Sequence, residues 1–102
     1  MIINNSPHDL CCIDLEMEAI ARFRSLVPFL PKQCRVFRVL EKECPILCLD
    51  FTDCPAELPS NLTDFAFLLA LSSHYLRLAD ILMFKVNDEI VARTTRSEFE
   101  AN

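Results

Sequence analysis

The chain has no glycine in 102 residues, and no other feature limits its backbone as much. Average usage of about 7% would supply several. Wherever a tight turn requires a positive φ, a residue with a Cβ must take it, and asparagine and aspartate do so most readily. Gly-rich phosphate loops and dinucleotide fingerprints are excluded, and with them the nucleotide enzymes built on those loops. The best-placed substitute is Asn87–Asp88, which sits between the β-rich runs of "DILMFKVNDEIVARTT" and predicts a hairpin there.

The rest of the chain divides on similar signals. Ser6 can cap a first helix, with Pro7 at its first position and Asp9 as the reciprocal carboxylate. Leu10, Ile13, Met17, Ile20 and Val27 recur at helical spacing. Glu18 and Arg22 form an i,i+4 pair, and Pro28 and Pro31 end the element. "CRVFRVLEKECPILCLDFTD" predicts two strands joined around Lys42 to Pro45, with Leu47, Leu49 and Phe51 on one face and Cys48, Asp50 and Thr52 on the other. Ser60 can cap a second helix from about Asn61 to Ala79, which is apolar on more than one side.

The order is helix, two strands, helix, two strands. It predicts a single α+β domain over residues 1–102, frayed at about 1–5 and 97–102, with two helices packed on an antiparallel sheet of about four strands. A hydrophobic content of 52% is ample for one core in a chain of this length. The longest apolar stretch, Leu62 to Leu71, is interrupted by Thr63 and Asp64 and falls short of the roughly 20 residues a membrane span needs. No secretory signal pattern opens the sequence, so the expected compartment is the cytoplasm, with reduced thiols.

Six cysteines raise the question of a metal or thiol site. In an extended strand Cys44 and Cys48 lie about 13 Å apart, too far to share one zinc. No CxxC occurs, and His8 and His74 fit no zinc-ligand spacing. The cysteines are expected to be small buried hydrophobes and free thiols. One pair stands apart: a hairpin centred near Cys44 would set Cys34 approximately opposite Cys54, within disulfide range, as a candidate redox pair.

Charge is unevenly placed. Arg22, Arg24, Lys32, Arg35, Arg38 and Lys42 fall in one stretch with Glu41 as its only acid, on a chain of net charge −5. Those six could form an anion-binding patch, although overall acidity disfavours a nucleic-acid role. No nucleophile with a base, no paired carboxylates in one pocket and no metal cluster emerges, and His74 has no orienting partner identifiable from spacing. Asp50 and Asp53 read as strand-end turn residues.

These readings point to a small noncatalytic interaction or regulatory protein, without cofactor, acting through a sheet edge or the apolar second helix as a homodimer. Phe67, Leu71, Tyr75 and Leu78 are the candidate partner-binding residues. The alternatives are an anion-binding or nucleic-acid-associated regulator using the basic stretch, and a cysteine-based redox or metal sensor.

Overall fold

The computed structural model describes residues 7–95, with side chains from residue 15 to residue 94. The expected cap at Ser6, the frayed ends, and the side chains of His8, Leu10, Cys11, Cys12 and Ile13 lie outside the described set. The elements run α1 (Pro7–Leu26), β1 (Arg35–Glu41), β2 (Cys44–Asp50), a 3-10 turn (Pro55–Glu57), α2 (Leu58–Thr63), α3 (Ala66–Tyr75), β3 (Ile81–Val86) and β4 (Glu89–Thr95). This is the expected α+β order, and no described helix is long and apolar enough to cross a membrane.

The four strands form one sheet in the order β1-β2-β3-β4. Both hairpins are antiparallel, as expected, and each closes in two residues. The joint between them is different: β2 and β3 run parallel, so the sheet is mixed. The cause is the connection, because α2 and α3 carry the chain back across one face before β3 begins, as a crossover does. A central parallel pair is covered on both faces, which accounts for the near-continuous apolar run of β2.

Strand alternation sorts the interior into two clusters. Leu47, Leu49, Leu82 and Phe84 pack with Phe23, Val27, Leu30, Leu69 and Leu78 under the helices. On the opposite face Ile46, Cys48 and Met83 form a smaller cluster flanked by Phe37 and Ile81. Among the described residues this second cluster contains strand residues only.

The helices differ from expectation in three respects. Met17, expected inward, is exposed, and Phe23 takes the buried position. The second helix is not continuous: α2 stops at Thr63 and α3 starts at Ala66. Asn61, Thr63 and Asp64 are weak helix formers, and Phe65 turns inward to stack on Phe29 with ring centroids 4.0 Å apart. Finally, α3 ends at Tyr75 instead of Ala79. Arg77 adopts φ +58, Arg77 N–H donates to His74 O, and Leu78 N–H donates to Ser73 O. That is a Schellman reversal with arginine where glycine is usual.

Glycine's absence is met in the same way at both hairpins. Lys42 and Glu43 have φ +52 and +66, and Asn87 and Asp88 have +51 and +65. These are the paired left-handed residues that a type I′ turn demands. The expectation of Asn87–Asp88 as a turn therefore holds, and the first turn is narrower than the Lys42–Pro45 span expected for it.

Candidate functional site

Exposed apolar residues run along α3. Phe67, Leu68, Leu71 and Tyr75 fall along one side of the helix and are 52%, 45%, 50% and 75% exposed. They stay outside because Leu69, Ala70 and Ser73 take the inward positions. Leu26, at the end of α1, is also exposed and joins Leu71 and Tyr75 around an open depression of about 480 Å³, with Ser72 and His74 at its margin. With large side chains about half uncovered, the stripe and Leu26 leave on the order of 500 Å² of apolar surface in water, the upper part of the range for a monomer.

Three of the four candidate partner-binding residues, Phe67, Leu71 and Tyr75, are thus brought together. Leu78 is not among them. It is 2% exposed and belongs to the main core, because the reversal at Arg77 takes it off the helix and turns it inward. Leu68 and Leu26 were missed; Leu68 was legible at the spacing of this same stripe, whereas Leu26 joins only through the packing of α1 beside α3.

The basic stretch does not make a free patch. Arg22 pairs with Glu18 at 3.2 Å. Arg24 donates to the carbonyls of Pro31 and Cys34, tying the end of α1 to the start of β1. Arg35 pairs with Asp50 at 2.5 Å. Arg38 donates from Nε to Leu78 O at 2.8 Å and from its terminal nitrogen to Glu16 at 3.1 Å. Lys32 and Lys42 remain, separated by the whole of β1, a span of about 20 Å or more at strand rise.

Asp50 is better described as the centre of a structural network than as a turn residue. Its Oδ1 accepts from Thr52 N–H at 2.9 Å and Thr52 Oγ1 at 2.5 Å, while Oδ2 accepts from Arg35. Thr52 Oγ1 in turn accepts from Asn87 N–H, linking the end of β2 to the second hairpin. The Thr52 hydroxyl, then its amide and Arg35, hold the Asp50 carboxyl below the usual carboxylate range against the opposing effect of burial.

The thiols are set for packing. Burial, and then the neighbouring Cys54, push the Cys34 thiol up to about 12. Burial also raises Cys48, and it raises Cys54, which Glu57 pushes up further. Thiols held protonated are weak nucleophiles and weak metal ligands. Cys34 does not stand opposite Cys54 as expected: Arg35 pairs with Asp50, so Cys34 falls opposite Phe51. Cys54 nonetheless packs against the cluster that holds Cys34, after a turn in which Cys54 N–H donates to Phe51 O. All four described cysteines are free, and among the described residues no group of three or more His, Cys, Asp or Glu could hold a metal.

His74 does have an orienting partner, which spacing did not reveal: its Nδ1 lies 2.9 Å from Asp80 Oδ1. The contact depends on the reversal at Arg77, which bends Asp80 back beside the helix. Both residues line a cavity of about 310 Å³ together with Cys44, Pro45, Arg77 and Ala79. Strand alternation, however, gives Cys44 the face of Ile46 and Cys48, opposite the helices. The Cys44 thiol donates to Pro45 O at 4.0 Å. No family model, curated protein or solved structure matches this chain.

Proposed function

We propose that this is a noncatalytic protein-interaction protein that works as a homodimer and offers the exposed side of α3 to a protein partner. The single observation carrying the reading is the run of Leu68, Leu71 and Tyr75, with Phe67, left 45–75% exposed beside Leu26. A contiguous apolar patch in the upper part of the monomer range is often functional, and a centre of on the order of 500 Å² with Phe67 and Tyr75 in it suits an interface of roughly 800 Å² per partner once a polar rim is added.

The anion-binding alternative draws no comparable support, since four of the six basic side chains are engaged within the chain. An apolar fluorescent dye tests the reading. The native protein is expected to bind it, and Leu71→Glu with Tyr75→Glu is expected to reduce binding several-fold with the circular dichroism spectrum unchanged. Undiminished binding in that double variant would remove α3 as the working surface.

A further inference from the structure

We infer that the homodimer forms by antiparallel pairing of β1 with β1 of a second copy across a twofold axis, giving one continuous eight-stranded sheet. The inference rests on the homodimer reading above and assigns it a surface, distinct from α3. It begins with which main-chain groups face outward. A two-residue turn makes Glu41 and Cys44 a hydrogen-bonded pair, and alternation along the ladder makes Val39–Ile46, Phe37–Cys48 and Arg35–Asp50 bonded pairs as well. Val36, Arg38 and Leu40 then direct their N–H and C=O groups away from β2, at an edge that no strand among the described residues pairs. Pro45 agrees with this phase: it lacks an N–H and stands opposite Leu40, where none is needed.

Those outward groups are self-complementary. In "RVFRVLE", pairing centred on Arg38 sets Val36 against Leu40 of the second copy and Arg38 against its own equivalent. Each such pair can exchange two main-chain hydrogen bonds. The side chains match in the same register. Arg35 meets Glu41 of the second copy, Val36 meets Leu40 on the helical face, and Phe37 meets Val39 on the other. Opposite charges and apolar pairs across strands are both stabilising.

The one unfavourable pair, arginine against arginine at the axis, is already neutralised, because each Arg38 is drawn under its own helices by Glu16 and Leu78 O. Arg35 and Glu41 keep their partners within the chain, Asp50 and Arg93, so the contact would extend two existing pairs into alternating chains of charge. Leu40, 70% exposed, would gain cover.

The other edge does not offer the same template. The register of β4 against β3 shifts between Phe84 and Lys85, and such a bulge protects an edge from further pairing. By contrast β1 is regular over its seven residues and contains no proline. Four of its seven residues, Val36, Phe37, Val39 and Leu40, are apolar, and a regular edge with its main-chain groups unpaired is a template for a further strand.

Residue-resolved amide exchange across a dilution series, with sedimentation equilibrium of the same samples, tests the inference. The amides of Val36, Arg38 and Leu40 should be protected in proportion to the dimer fraction, and Leu40→Pro, which removes one donor per protomer, should weaken the dimer about thirtyfold. Leu71→Glu should leave the dimer intact. A dimer whose Val36, Arg38 and Leu40 amides exchange freely, or one broken by Leu71→Glu and untouched by Leu40→Pro, would overturn this inference while leaving the homodimer reading standing. A chain monomeric at every concentration would overturn both.

Discussion

Glu43→Gly is expected to stabilise this protein. Glu43 sits at φ +66 and Lys42 at +52 in the two-residue turn joining β1 and β2. An L-residue in the left-handed region carries a penalty of about 1–2 kcal/mol from its Cβ against the following carbonyl, and glycine carries none. Glycine also loosens the unfolded chain, which returns about 0.4–1 kcal/mol of that gain. The net expectation is a stabilisation of about 0.5–1 kcal/mol, a rise of about 2–8 °C in Tm for a domain of this size. Urea unfolding at constant m measures it directly. Two comparisons sharpen the test. Asp88→Gly, at φ +65, should gain less, because aspartate tolerates that region better. Glu57→Gly, at φ −87 in an exposed position, should destabilise. Equal losses at Glu43 and Glu57 would refute the reasoning that left-handed geometry sets the penalty.

Three further outcomes follow from the packing and the charges. Leu78→Ala should destabilise by about 2–5 kcal/mol by opening a core cavity, whereas Leu71→Ala should stay within about 0.5 kcal/mol; denaturant melts of the two separate the buried leucine from the exposed one. Arg38→Ala should lose about 1–3 kcal/mol by leaving Leu78 O without its donor, and Lys32→Ala should be nearly neutral, so similar losses at both would mean Arg38 is not structural. Burial pushes the Cys34 thiol from an ordinary value of 9.0 up to about 12 in the folded chain. Its contribution is fully present below pH 9, and stability should fall between pH 9 and 12 by about 1.4 kcal/mol per pH unit for this thiol. Cys34→Ala should flatten that alkaline limb, and an unchanged slope would mean the folded thiol is not held protonated.

The parts of the fold that could be read from the sequence are those fixed by local chemistry. Pro45 and the β-branched and aromatic run after Lys32 mark β1 and β2, and Asn87–Asp88 marks the second hairpin, because one or two residues determine each feature. The breaks in the second helix were hidden for the same reason in reverse. Arg77 takes the position where glycine would announce a helix end, and the stop at Thr63 depends on Phe65 reaching Phe29, a residue 36 positions earlier. The parallel joint of β2 and β3 follows from where α2 and α3 lie, and its one local trace is the near-continuous apolar run of β2.

The candidate surface was legible in Phe67, Leu71 and Tyr75, since helical spacing places them together wherever the helix ends. Leu78 was misplaced because its side depends on the reversal at Arg77. Arg24 and Arg38 looked available for anions because their acceptors, the carbonyls of Pro31, Cys34 and Leu78, leave no mark in a sequence.

Sedimentation equilibrium from micromolar to millimolar concentration tests the central claim most directly. The account predicts a mass approaching twice the 11.7 kDa of the chain as concentration rises. A constant mass of one chain across that whole range would contradict it.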